Sequence, residues 1–166
     1  VYDGTPDQKI TITAAPYDWL EASFFYSNIQ GKPYPGYEYQ DYKDKGFNFK
    51  IRIKEEGNLP AIAIGINDIA GSGFFSSEYL VASYGIENLD FHLGLGWGTL
   101  NSSDKSFKNP LNFIHESFSN RPSYIEQEGG QFQLSRYFSG EVSPFYGISY
   151  AINENFIFKL EQDTTK

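Results

Sequence analysis

Residues 47–54 read Phe47, Asn48, Phe49, Lys50, Ile51, Arg52, Ile53, Lys54, a strict alternation of apolar and polar side chains. Successive side chains of a β-strand point to opposite faces, so four apolar groups fall on one side and four polar ones, three of them cationic, on the other. Residues 89–98 repeat the pattern with different chemistry. Leu89, Phe91, Leu93, Leu95 and Trp97 share one face, and Asp90, His92, Gly94, Gly96 and Gly98 share the other. Both segments predict strands with one strongly apolar face.

Weaker versions occur at 9–14, where Ile10 and Ile12 oppose Lys9, Thr11 and Thr13, and at 19–28, where Leu20, Ala22, Phe24 and Tyr26 oppose Glu21, Ser23 and Ser27. Residues 61–68, 76–86, 142–152 and 156–163 are further candidates. Composition agrees: 15 Phe, 13 Tyr, 2 Trp and 16 Gly in 166 residues are characteristic of pleated, half-buried surfaces rather than helices. The expectation is an all-β fold, an antiparallel up-and-down meander of about eight strands that forms a β-barrel or part of a larger one. The length suits one unit, so 1–166 reads as a single barrel domain or the N-terminal barrel segment of a longer protein.

The connections carry a second signal. They run short (Ala15–Asp18), long (Gln30–Tyr42), short (Gly57–Pro60), medium (Ile69–Phe75), short (Glu87–Asn88), very long (Thr99–Glu141) and short (Asn153–Asn155). Outer-membrane barrels alternate in this way, with tight turns at the periplasmic rim and long loops at the other. Residues 131–138 also alternate, but a strand there would break the rhythm, so they are assigned to the long loop. Trp19, Trp97, Tyr84 and Tyr150 lie near strand ends, where aromatic girdles meet lipid headgroups.

Several classes of function are excluded or disfavoured. With no cysteine, disulfides, thiolate metal sites and cysteine nucleophiles are ruled out. A net charge of −8 argues against nucleic acid as a partner. His92 and His115, the only histidines, lack a second His at metal-site spacing, so no metal or other cofactor is expected. Gly94, Gly96 and Gly98 alternate within a strand pattern with no helix behind them, which does not fit a phosphate loop. Glu55, Glu56, Asp68, Glu78 and Glu116 offer carboxylates, yet no pair stands out as a glycosidase dyad, and no other catalytic spacing is present. A non-enzymatic role is expected. No leader precedes Val1, as expected of a mature or excised segment.

The polar faces supply the candidate site. Glu21, Lys50, Arg52, Lys54, His92 and Lys159 fall there, together with Asp90 and Glu161. In a barrel this row lines the interior, either as the ion pairing that fills any lumen or as a surface for an anionic sugar chain.

Longer stretches resemble a known family. Pro16-Tyr17-Asp18-Trp19-Leu20-Glu21-Ala22-Ser23-Phe24, Lys43-Asp44-Lys45-Gly46-Phe47 and Pro60-Ala61-Ile62-Ala63-Ile64-Gly65-Ile66-Asn67-Asp68-Ile69 are similar to the YjbH/GfcD family of exopolysaccharide and capsule biosynthesis proteins. The run Gly71-Ser72-Gly73-Phe74-Phe75-Ser76-Ser77-Glu78-Tyr79-Leu80-Val81-Ala82-Ser83 is the most specific. Gly94-Leu95-Gly96-Trp97-Gly98, Asn120-Arg121-Pro122, Phe145-Tyr146-Gly147-Ile148 and Lys159-Leu160-Glu161 follow in the family's order. Where the family usually has Glu-Tyr-Asp, this chain has Glu161-Gln162-Asp163. The resemblance implies a longer, secreted barrel in the outer membrane of a Gram-negative bacterium, serving exopolysaccharide export and without established catalytic residues. Its implied partners are outer-membrane lipid, exopolysaccharide and other export proteins.

An eight-stranded barrel is filled by its own side chains, whereas water-filled channels appear at about 16 to 18 strands. Export therefore requires more strands or a partner. The competing reading is a soluble β-sandwich module that binds carbohydrate on Tyr34, Tyr37, Tyr39 and Tyr42, with the Phe47–Ile53 apolar face turned inward. A purely structural barrel without sugar contact is a third.

Overall fold

The computed structural model describes residues 8–34, 36–101, 104–122 and 132–162. Eight strands follow in chain order: β1 (Gln8–Tyr17), β2 (Leu20–Tyr34), β3 (Tyr37–Lys54), β4 (Ala61–Ile69), β5 (Ser77–Ile86), β6 (Leu89–Gly98), β7 (Ser143–Asn153) and β8 (Phe156–Glu161). Each pairs antiparallel with the next in one sheet of order β1 to β8, an open, curled half-barrel. Among the described residues there is no second sheet and no helix long and apolar enough to cross a membrane, the latter saying nothing of strands. The sandwich reading is thereby corrected, because among the described residues no second sheet packs on the apolar face.

Register fixes which residues share a face, since directly paired residues point the same way. Leu20 pairs with Ile51, Ile51 with Ile64, Ile64 with Leu80, Leu80 with Leu95 and Leu95 with Pro144. One face is thus apolar across the sheet, and much of it is exposed: Ile12, Ile53, Leu93 and Leu160 each expose more than half their surface. The opposite face carries Thr11, Phe25, Gly46, Gly65, Tyr79, Gly94, Gly96, Phe145 and Gly147 among polar residues. This face is concave. Lys9 of β1 brings its Nζ to 5.3 Å from the rings of both Phe25 on β2 and Phe75 in the β4–β5 link, a span that a flat sheet could not close.

Glycine makes the curl possible. Phe25 pairs with Gly46, Tyr79 with Gly65 and Phe145 with Gly94, and each aromatic ring occupies the volume a Cβ would take. At Gly65 and Gly94 that Cβ would lie 2.1 Å from a ring carbon, so only glycine fits beneath these rings.

The two rims differ. Asp18–Trp19, Glu87–Asn88 and Glu154–Asn155 make tight turns, and Glu55–Pro60 a short link, at one rim. At the other, Ala70–Ser76 is of medium length and the link 99–142 is very long, as expected. Two details correct the sequence reading. Gln30–Tyr42 is not a loop: β2 continues through it to Tyr34 and β3 begins at Tyr37, the two pairing as a ribbon with register shifts between Ile29 and Pro33 and again before Tyr34. Trp97 lies on the apolar face but is only 2% exposed, packed edge-on beneath Phe138 at 5.2 Å, so it cannot serve in a lipid-facing girdle. Residues 132–138 form no strand; Leu134–Arg136 is a short 3-10 turn, and Gln131 lies outside the described residues.

Fully buried side chains concentrate at the long-link rim. Trp97, Phe25, Glu78, Val142, Ser139 and Ser143 are under 2% or about 2% exposed, whereas every residue of β1 and β8 is exposed. The described parts of the link 99–142 fold back as a cap. Asn109 anchors it, its amide donating to the carbonyls of Phe118 (3.0 Å) and Phe138 (2.7 Å) while its carbonyl oxygen accepts from the Leu111 N–H. Phe107 and Val142 exchange backbone hydrogen bonds.

Candidate functional site

The sequence-predicted polar row lies largely where alternation puts it. Glu21 of β2 stands opposite Lys50 of β3, Lys50 opposite Gly65, and Arg52 opposite Ala63, all on the concave face. Arg52 is held by Glu55 at 3.0 Å, an exposed pair of little energetic weight. His92 of β6 sits opposite Ser83, its Nδ1 2.8 Å from the hydroxyl. Lys159 faces Ser149 on the exposed edge strand. Lys54 departs from the row: a bulge after Arg52 leaves it opposite Ile62, and its ammonium donates to the Pro60 carbonyl (3.3 Å) at the short-turn rim. The structure therefore brings Glu21, Lys50 and Arg52 together, with His92 three strands away from Lys50 and Lys159 at the far edge.

Alternation did not reveal the second cluster, at the long-link rim. Glu78, the second residue of β5, is 0% exposed. Arg121 of the cap clamps it in a bidentate fork, Nη1 to Oε2 at 2.7 Å and Nη2 to Oε1 at 2.9 Å. The same guanidinium donates to the Ser76 hydroxyl (2.8 Å) and the Arg136 carbonyl (2.9 Å), and the Phe138 N–H donates to Glu78 Oε2 (2.9 Å). Arg121 lies 43 residues from Glu78 in sequence, which is why no local pattern announces the pair. Burial, followed by the nearby Glu78 and Asp68 carboxylates, pushes the Tyr137 phenol above its ordinary value. Next to it, burial and the Arg121 charge pull Arg136 down.

A second pair of acids lies under the β4–β5 link. Asp44 and Asp68 are 2% and 3% exposed; the first accepts from the Ser72 N–H (2.9 Å) and the second from the Phe75 N–H (3.0 Å). Each thus pins one half of the Gly71–Phe75 run. Asp68 has a positive φ of 61°, and its Oδ1 fills the volume a Cβ at Gly71 would need, so both positions are locked by fit.

The arrangement offers little to acid–base chemistry. Glu78 has both oxygens engaged, Asp68 is closed beneath the link, and Glu55 is tied to Arg52 in the open. No group of three or more His, Asp or Glu suited to a metal occurs among the described residues. What the geometry offers is two contrasting surfaces, a polar concave one and an apolar convex one. On the convex side Ala82 floors a groove of about 330 Å³ walled by Tyr84, Phe91, Leu93, Tyr146 and Ile148.

A family model described as "Exopolysaccharide biosynthesis protein YbjH" matches residues 2–166. The chain is 40% identical over 139 residues to "Uncharacterized lipoprotein YjbH" of Escherichia coli strain K12, an alignment covering 81% of this chain and 20% of the relative. The chain thus spans about a fifth of the length of the curated relative it matches. No solved structure matches it. With residues 2–166 matched and a curated relative 40% identical, the protein belongs to the YjbH family of exopolysaccharide biosynthesis proteins.

Proposed function

We propose that this chain is a non-catalytic segment of an outer-membrane β-barrel that serves exopolysaccharide export or surface assembly, its convex face against lipid and its concave face toward the interior. The observation that carries the reading is the uncovered apolar belt. β1, β4, β5, β6 and β7 are 9 to 11 residues long, the length of a tilted strand that spans a bilayer. Below the capped rim, where Glu78 and Trp97 are buried, the outward positions are apolar: Ile62, Ile64 and Ile66 on β4, Leu80 and Ala82 on β5, Leu89, Phe91, Leu93 and Leu95 on β6. In water such a surface favours association, because apolar area left exposed costs about 25 cal/mol per Å². Lipid removes that cost.

The rims support the same orientation. Tyr17 stacks on Trp19 at 5.4 Å, and with Tyr150 these rings are 43–59% exposed where the belt ends at the tight-turn rim, as an interfacial girdle would be. The name of the relative, a lipoprotein, fits an envelope location. The open edges of β1 and β8 fit a barrel completed by strands of a longer protein, and only a wider barrel leaves room for a polysaccharide.

The test is site-directed labelling. Single cysteines replacing Phe49, Ile51 and Leu93, with Lys50 and His92 as concave controls, are reacted with lipid-soluble and water-soluble probes in bilayers. Lipid access at the first three and water access at the controls is expected. Protection of Phe49, Ile51 and Leu93 from both probes would sink the reading.

A further inference from the structure

We infer that the cap folded from the link 99–142 is an interfacial membrane anchor, its exposed Phe113, Ile114 and Leu134 seated at the headgroup–acyl boundary of the bilayer; the assignment rests on the membrane reading above. Register fixes the side on which the cap sits. Glu78 pairs with Trp97, and each lies two residues from the outward pair Leu80 and Leu95 on its strand, so both belong to the convex, belt-bearing side. Arg121 grips Glu78, and the Phe138 ring covers Trp97 at 5.2 Å. The cap is therefore rooted on the outside of the sheet rather than across its mouth.

Height decides what the cap meets. Leu89 pairs with Tyr150 at the tight-turn girdle, and Trp97 lies eight residues further along β6. At about 3.4 Å per residue and a tilt of about 40°, that is roughly 20 Å along the membrane normal, within the apolar band of about 25 Å that outer-membrane barrels present to lipid. Around Glu78 and Trp97 the cap thus stands in the place of lipid at the upper edge of the belt, and its own outer surface is what the boundary touches. With Trp97 withdrawn from lipid, the cap supplies the apolar edge opposite Tyr17, Trp19 and Tyr150.

The chemistry of the cap suits that place. Phe113 is 97% exposed, Leu134 77% and Ile114 71%, each more open than Leu93 in the belt at 62%. They are not carried on a loose backbone. The Leu111 N–H donates to the Asn109 side-chain oxygen (3.0 Å), the Asn112 N–H to the Asn109 carbonyl (3.1 Å), and the Ile114 and His115 N–H groups to the Leu111 carbonyl (2.8 and 3.2 Å). The Ser117 N–H is met by His115 Nδ1 (3.1 Å). A turn whose donors are bonded internally can enter a region poor in water without stranding them, and Phe, Leu and Ile side chains are the kind that bury about 5–10 Å deep at such a boundary. Asn109, 3% exposed, ties this turn to the carbonyls of Phe118 and Phe138, so the exposed tip and the ring over Trp97 are held by one side chain.

The chain has no cysteine, so single nitroxides can be attached at Phe113→Cys, Ile114→Cys and Leu134→Cys, with Leu93→Cys and Lys50→Cys as belt and concave references. The full chain is reconstituted in vesicles of phosphatidylcholine and phosphatidylglycerol, and collision of each nitroxide with oxygen, which concentrates in lipid, is compared with collision with a water-soluble nickel chelate. The oxygen-to-chelate ratio at the three cap positions should fall between that at Leu93→Cys and that at Lys50→Cys. Resistance of the cap to proteolysis between residues 104 and 122 verifies that each variant keeps it folded. A ratio at Phe113→Cys and Ile114→Cys equal to that at Lys50→Cys would overturn the anchor, and so would weak collision with both reagents, which would mean that protein and not lipid covers the tip. The two readings fail separately: if Leu93→Cys reports lipid while the cap positions report water, the anchor alone falls, and if Leu93→Cys does not report lipid, the membrane reading falls and the anchor with it.

Discussion

A carboxylate with no exposed surface is tolerated only when its charge is met and its oxygens are hydrogen-bonded, and Glu78 satisfies both conditions through one arginine. Removing one partner of such a pair strands the other charge, so Arg121→Ala should lower stability by about 3 kcal/mol or more and free the cap, read as faster proteolysis between residues 104 and 122. A rate equal to wild type would show the fork to be energetically idle. Tyr137 gives the cap a pH dependence. Its folded phenol pKa is raised, so its contribution is fully present below the unfolded value of about 10 and is lost as pH climbs through the folded value. Cap protection should therefore decay above pH 10, and Tyr137→Phe should remove that part of the decay. The glycine sockets make a third residue-scale case. Gly65→Ala drives a Cβ into the Tyr79 ring and should cost about 1–3 kcal/mol, whereas Gly57→Ala, where nothing lies within 4 Å, should be near neutral. Equal effects in thermal unfolding would refute the socket.

At the scale of elements, β3 through Phe47–Lys54 and the whole of β6 are legible in the sequence because their two faces meet unlike surroundings and the alternation records the difference. The ribbon through Gln30–Tyr42 is not legible, for the same physical reason. Beyond the belt neither face is apolar by necessity, Pro33 and the bulges beside it interrupt the ladder, and so the period is erased while the pairing persists. The polar row of Glu21, Lys50, Arg52 and His92 was legible from spacing alone, but Lys54 was not, since a single bulge shifts everything beyond it. The buried rim was not legible at all, because Asp44, Asp68 and Glu78 find their partners through loops. Trp97 illustrates how the cap changes a strand residue's role. With Trp19 49% exposed and Trp97 2% exposed, a Trp19→Phe variant should show blue-shifted emission shielded from acrylamide, and Arg121→Ala added to it should restore quenching. Quenching of Trp97 at the Trp19 rate in the capped protein would mean the link does not cover β6.

The whole molecule raises the question of closure. Eight strands are enough for a small barrel, and such a barrel would be plugged by its own inward side chains. Here the order runs β1 to β8 with both end strands exposed throughout, and the concave face is crowded by Phe25, Tyr79 and Phe145 over glycine. Closing β8 on β1 would tighten the curl and press these rings toward one another, while adding strands between those edges would relax it and widen the interior. Under the membrane reading proposed above the edges also cannot stay bare, since unpaired strand N–H and C=O groups in a bilayer cost several kcal/mol each. A cross-link distinguishes the two outcomes. Cysteines replacing Thr11 of β1 and Lys159 of β8, both on the concave side, become neighbours only if the eight strands close on themselves. In the longer protein in its membrane, these two cysteines should not form a mutual disulfide, and each should instead cross-link to cysteines placed in strands outside this segment. An efficient disulfide between cysteines at positions 11 and 159 would establish a closed eight-stranded barrel too narrow for a polysaccharide.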